Sequence, residues 1–94
     1  MNYKKNPALD YMLLDETSLA VFDPETKNTY FFDETGINIL NILEEACDID
    51  SLLNKLCEIY AVEPDEIRVD VEEFLTDTLA KGVINTLWKS TQSI

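Results

Sequence analysis

The run Asn28–Ile37, reading NTYFFDETGI, constrains this chain more than any other stretch. Thr, Tyr and Phe favour a pleated, half-buried strand. Asp33 or Thr35 then offers a side-chain oxygen to the free N–H groups of a helix start. A strand therefore runs into a helix with almost no loop between them. Alternation along that strand puts Tyr30 and Phe32 on one face and Phe31 on the other, so at least one of the rings belongs to a core.

The segments on either side extend this pattern. Leu9–Asp15 and Ser18–Asp23 carry near-continuous apolar runs, which suit strands buried on much of both faces. Their boundaries are set by turn chemistry at Asp15-Glu16-Thr17 and at Asp23-Pro24-Glu25-Thr26-Lys27-Asn28, because proline pre-sets φ and aspartate bonds its own backbone. With Asn28–Phe32 as the third strand, the result is an antiparallel meander. A first helix begins near Asp33–Thr35 and runs through Ile37, Ile39, Leu40, Ile42 and Leu43 to about Ala46. Asp48 or Asp50 caps a second, which carries Leu52, Leu53, Leu56, Cys57 and Tyr60. Ala61–Pro64 is a connector, with Pro64 placed for the first turn of a third helix that extends to about Lys81. That helix carries Ile67, Val71, Phe74, Leu75, Thr78 and Leu79 on one face, and Gly82 ends it. Val83, Ile84, Leu87 and Trp88 suit a short extended closing segment. The expectation is one α+β domain over residues 9–88, a three-stranded meander followed by three α-helices, between a flexible arm at 1–8 and a flexible tail at 89–94.

Composition narrows what such a domain does. Ninety-four residues supply one core. No apolar run approaches the roughly 20 residues of a membrane span, and no apolar stretch follows Lys4 and Lys5, so a cytoplasmic protein without membrane contact is expected. There is no histidine, and Cys47 and Cys57 are the only cysteines, so no Cys/His zinc site exists and reduced, partly buried thiols are expected. Seven basic residues face nineteen acids, for a net charge of −12. Nucleic acid, a polyanion, is a disfavoured partner; a basic or polar peptide would be steered inward. No Gly-rich phosphate loop and no Ser or Cys beside a plausible base is present, so neither catalysis nor a cofactor is expected.

In order along the chain come the Asp-Pro turn, the aromatic strand, Asp33-Glu34-Thr35-Gly36, Asp48-Ile49-Asp50-Ser51-Leu52, Tyr60–Glu66, Asp70–Leu75 and Lys81-Gly82-Val83-Ile84. This ordered set resembles the PqqD-like family, the peptide-recognition modules of systems that modify ribosomally made peptides (RiPPs). The resemblance covers about residues 9–88. Asp33 stands where that family usually has Asn, which keeps a helix-capping residue. The resemblance implies a winged helix-turn-helix-like domain that binds the leader segment of a precursor peptide. The leader would lie as an added strand between the third strand and the third helix. A separate enzyme (a radical SAM maturase, a leader peptidase or a cyclase) would then modify the precursor.

The residues support such a role on physical grounds, since an edge strand offers unpaired backbone groups to any extended peptide. Thr29, Tyr30, Phe31, Phe32 and Asp33 would supply the row, and Val71, Phe74, Leu75 and Thr78 an apolar floor. Either Asp70 and Asp77 on one flank of the third helix, or Arg68 and Glu72 on the other, would meet polar groups of the leader. Two other readings compete. Asp50-Ser51-Leu52 matches the string around the attachment serine of acyl and peptidyl carrier proteins, although those are all-helical and Asp-x-Asp-Ser also reads as a helix start. A winged-helix regulator would read DNA with its third helix, here crowded with acids that repel phosphate.

Overall fold

The computed structural model describes residues 1–87. They form β1 (Asn2–Lys5), β2 (Asp10–Asp15), β3 (Ser18–Phe22), β4 (Thr29–Phe32), α1 (Glu34–Ile42), α2 (Ile49–Tyr60), α3 (Pro64–Ala80) and β5 (Ile84–Leu87). The turns form through their aspartates. Asp15 Oδ1 accepts from the Thr17 amide at 2.8 Å, and Asp23 Oδ1 accepts from the Glu25 amide at 2.9 Å. The meander follows, in the order β2-β3-β4 and antiparallel throughout. A bulge falls between Leu13 and Asp15.

Each helix starts and stops for a local reason. Asp33 caps α1 by accepting from the Gly36 amide at 3.1 Å, and Asp48 caps α2 by accepting from the Ser51 amide at 2.8 Å. The Glu66 carboxylate accepts from the Glu63 amide at 3.1 Å in front of α3, with Pro64 in its first turn. After α3, Gly82 takes a left-handed φ of 78°. The Gly82 amide donates to Leu79 and the Val83 amide to Thr78, the paired bonds that close a helix through a glycine. The first helix is shorter than expected, ending at Ile42 rather than about Ala46. The carbonyl of Leu43 is taken by the Lys5 amide at 2.7 Å instead.

One face of the meander supplies Leu19 and Val21 to the core. Against them pack Ile39, Leu40 and Leu43, then Leu52, Leu53 and Leu56, then Val71 and Leu75, with Val83 and Ile84 after them. Each such buried side chain contributes roughly 1.5–3 kcal/mol, which sets the three helices on that face of the sheet.

Two expectations are corrected. Residues 1–8 are not a loose arm: β1 pairs antiparallel with β5, and Tyr3 exchanges backbone bonds with Cys47 at 2.8 and 3.1 Å. The Asn6 amide also donates to Val83, and Tyr3 packs on the core. Nor is β2 buried on both faces. Met12, Leu13 and Leu14 are 64%, 61% and 53% exposed: no layer covers the far side of the sheet at Met12 among the described residues, and Leu13, opposite Leu19 on the helix side, lies at the sheet's margin beyond the packed core. Trp88 and the expected tail at 89–94 lie outside the described residues.

Candidate functional site: the open edge of β4 and its groove

Strand β4 has β3 on one side and, among the described residues, no strand on the other. Its hairpin closes with the Asp23 amide donating to the Asn28 carbonyl at 2.8 Å. Bonded and non-bonded pairs alternate from there along the register Phe22↔Thr29, Val21↔Tyr30, Ala20↔Phe31, Leu19↔Phe32. Tyr30 and Phe32 therefore spend their backbone groups on β3. Thr29 and Phe31 aim theirs at the open edge.

Helix α3 forms the opposite wall, tied to β4 by side chains. The rings of Phe32 and Phe74 meet at 5.8 Å with a 60° tilt, and Lys81 Nζ sits 5.4 Å from the centre of the Tyr30 ring. Lys81 is itself held by Asp77 at 2.9 Å. Where α1 begins, a groove of about 520 Å³ opens between Asp33, Thr35 and Gly36 on one side and Ile67, Asp70, Val71 and Phe74 on the other. Ile39 and Leu56 reach its floor, and Tyr60 closes one end, where its hydroxyl accepts from Asn38 Nδ2 at 2.6 Å.

Gly36 is what lets this wall stand so close. A Cβ there would lie 2.9 Å from Phe32 Cβ and 3.1 Å from Phe32 Cδ1. The Asp33-Glu34-Thr35-Gly36 string thus serves the site twice, since Asp33 caps α1 and Gly36 leaves room for the ring that meets Phe74 at a tilt.

The structure gathers some of the expected residues and separates others. Tyr30, Phe32, Asp33, Asp70, Val71 and Phe74 lie on the groove or its walls. Thr29 and Phe31 lie on the open edge, the Phe31 ring turned outward and 71% exposed. Leu75 and Thr78 are elsewhere, in the core, where the Thr78 hydroxyl donates to the Phe74 carbonyl at 2.7 Å. Arg68 turns toward α2, reaching Asp50 at 3.2 Å and Glu72 at 3.9 Å. The groove flank of α3 is therefore the Asp70 side. Sequence reasoning does not single out Ile67, Gly36, Tyr60 and Lys81 as site residues. Ile67, Asp70, Val71 and Phe74 do follow the i, i+3, i+4, i+7 spacing of one helical stripe.

Chemically, the site offers backbone donors and acceptors in a row, an apolar trough and an acidic rim at Asp33 and Asp70. Cys47 and Cys57 are free and partly buried, and burial pushes the Cys47 thiol above its ordinary pKa. Ser51 occupies the first turn of α2, its amide held by Asp48, so a helix start accounts for the carrier-like string. No helix among the described residues is long and apolar enough to cross a membrane.

A three-stranded meander whose β4 edge, unpaired among the described residues, is walled by the last of three helices defines an α+β domain of the winged helix-turn-helix kind. The chain belongs to the PqqD family: the model for coenzyme PQQ synthesis protein D (PqqD) matches residues 11–84. A solved structure, TbiB1 in complex with the TbiA(beta) leader peptide, shares the fold with a TM-score of 0.77 at 20% identity, over 92% of this chain and 99% of that one. No curated protein sequence matches the chain.

Proposed function

We propose that this protein binds the leader segment of a ribosomally synthesised precursor peptide as an added strand on β4 and presents it to a separate modifying enzyme. The enzyme would be a radical SAM maturase, a leader peptidase or a cyclase. The protein itself is a non-catalytic, cytoplasmic adaptor that needs no cofactor. The observation carrying this reading is the row of free backbone groups at Thr29 and Phe31, set beside a trough that side chains of a visiting strand can enter. Membership of the PqqD family and the likeness to TbiB1, solved with a leader peptide, support it. The contacts are assigned to Thr29, Phe31, Tyr30, Phe32 and Asp33 from the strand, and to Ile67, Asp70, Val71 and Phe74 from the helix side. A leader segment of roughly 6–12 residues fills the edge and its flanks. With Asp33 and Asp70 on the rim and a net charge of −12, a leader carrying Lys or Arg is favoured.

Phe31→Pro tests the strand addition. Its amide faces the open edge, where proline is tolerated by the sheet. The variant folds but loses one donor to the leader, which costs about 1–3 kcal/mol, or about 5- to 150-fold in affinity. Phe31→Ala keeps the amide and stays within about threefold of wild type. Titration of a fluorescently labelled leader from the adjacent precursor gene reads both. Equal affinities for the proline and alanine variants would falsify strand addition.

A further inference from the structure

Strand β2 forms the other edge of the meander, and among the described residues no strand lies beyond it. Because Tyr30 and Phe32 take the backbone groups of Val21 and Leu19, alternation along β3 leaves Ala20 and Phe22 to bond Met12 and Asp10. Tyr11 and Leu13 therefore aim their amides and carbonyls outward. The strand is also apolar where an edge is ordinarily charged: Met12 is 64% and Leu13 61% exposed. On the helix side, Tyr11, Leu13, Leu19, Ile37 and Leu40 line a cavity of about 230 Å³ beside this edge. Free backbone groups, exposed apolar side chains and an adjoining apolar cavity together suit a visiting strand.

Backbone parity and charge select the occupant. In an antiparallel pair only residues that both aim outward exchange bonds, so two copies of β2 related by a two-fold axis have few registers open to them. The register that uses Tyr11 and Leu13 in full pairs Tyr11 of each copy with Leu13 of the other, and sets Met12 opposite Met12 on the axis. Asp10 then faces Leu14 at the bulge. Setting Asp10 against Asp15 needs a slip of one residue, which would turn outward groups toward inward ones, so the two carboxylates of the strand never oppose each other. The second copy's Leu13 lies beside Tyr11 at the cavity, and the two Met12 side chains cover one another on the outer face. We infer that this chain forms a reversible homodimer through β2, joining two meanders into one six-stranded antiparallel sheet. The ladder is short and the charge of −12 on each copy opposes approach, so the dimer is weak and is favoured by salt that screens this charge. Both β4 edges stay at the far ends of the joined sheet. The dimer thus hides the edge that would compete with β4 for an extended peptide. The contact stands apart from leader binding, whose residues lie on β4 and the helix side of the groove.

Sedimentation equilibrium of the full chain, from micromolar to millimolar concentration, tests the contact. Dimer is expected to accumulate over that range, and the Tyr11 and Leu13 amides should exchange with solvent more slowly as concentration rises. Met12→Lys and Met12→Glu each place like charges on the two-fold axis at an exposed position, and circular dichroism confirms their folding. Each variant alone is expected to self-associate about tenfold more weakly than wild type, or worse. Mixed in equal amounts they should form a heterodimer tighter than either variant's own dimer, because lysine then faces glutamate. Four results overturn the inference: a wild type that is monomeric throughout, exchange at Tyr11 and Leu13 that ignores dilution, self-association indifferent to both variants, or a mixture that associates no better than its components.

Discussion

Strands β1 and β4 are each four residues long, and each mixes aromatic with polar side chains, yet the fold treats them in opposite ways. The backbone of β1 is satisfied on both sides. It pairs with β5 along one edge, and on the other Tyr3 bonds Cys47 and Lys5 bonds Leu43. Among the described residues, strand β4 is paired on one side only. The open edge does not arise from a shortage of strand, because β5 lies after α3 and pairs with β1 instead. An exposed edge invites uncontrolled pairing. Here it is kept short, begins at Asn28 and stops at the charged Asp33-Glu34 pair. The chain has used its spare strand to hold its own N-terminal segment, and the β4 edge lies beside a groove.

Removing the closed side is expected to have the largest effect. Deleting residues 1–6 eliminates the Tyr3–Cys47 pair, the Lys5–Leu43 bond, the Asn6–Val83 bond and the β1–β5 ladder. At about 1 kcal/mol for each of the first four bonds, a loss of at least ~3 kcal/mol is expected in urea unfolding. Leader affinity per folded molecule should not change, since no residue before Asn28 contributes to the β4 edge. A truncated chain as stable as wild type would mean that β1 rests on the domain without bracing it. One with normal stability but no leader binding would erase the distinction between the two strands.

Gly36→Ala perturbs the open side more gently. The new methyl would meet Phe32 at 2.9–3.1 Å, an overpacking that costs about 1–3 kcal/mol. Alanine's better helix propensity recovers about 0.5–1 kcal/mol, leaving a net loss near 1 kcal/mol in thermal or urea unfolding. The displaced Phe32 ring would shift against Phe74, so leader affinity should drop severalfold even where the protein is folded. A variant with wild-type affinity would show that the groove does not read the Phe32–Phe74 contact.

What could be read from the residues and what could not divides along the same line. The meander, the helix starts to within a residue or two and the Gly82 stop are legible because each is local: a turn aspartate, a capping oxygen, a left-handed glycine; the choice of Asp33 over Thr35 and of Asp48 over Asp50 comes from the structure. Strand β1 is not legible, because Asn2-Tyr3-Lys4-Lys5 has no apolar alternation, and its partners lie at Cys47 and at Ile84–Leu87. The apolar run Met12-Leu13-Leu14 misled for a related reason. Its hydrophobicity announces burial, and nothing in it says that the helices will leave the Met12 face bare and reach only the edge of the Leu13 face. On α3, acids occur around much of the circumference, so the Asp70 and Arg68 flanks could not be ranked from spacing. A neighbour broke the tie, since Asp50 on α2 draws Arg68 away from the groove. Leu75 and Thr78 share the apolar stripe of Val71 and Phe74, and spacing alone does not separate groove from core; α3 turns both into the core.

The weakest expected effect concerns Tyr11, which couples the closed region to the open sheet. It stands on the inner face of β2, opposite Val21, and its hydroxyl donates to the Asn6 carbonyl at 2.7 Å just beyond β1. Burial pushes its pKa up from the ordinary 10.0 to about 12. Between those values the unfolded chain has lost the phenolic proton and the folded chain has kept it, so rising pH favours unfolding. The contribution is intact below about pH 10 and is lost progressively as pH climbs through about 12. In Tyr11→Phe this component of the alkaline slope should vanish, at a pH-independent cost of about 1 kcal/mol for the missing hydrogen bond. Urea midpoints of the two proteins, measured from pH 8 to 11.5, should therefore converge as the pH rises. Parallel curves would mean that the hydroxyl is as well solvated in the fold as in the unfolded chain, and that Tyr11 does not couple β1 to the meander.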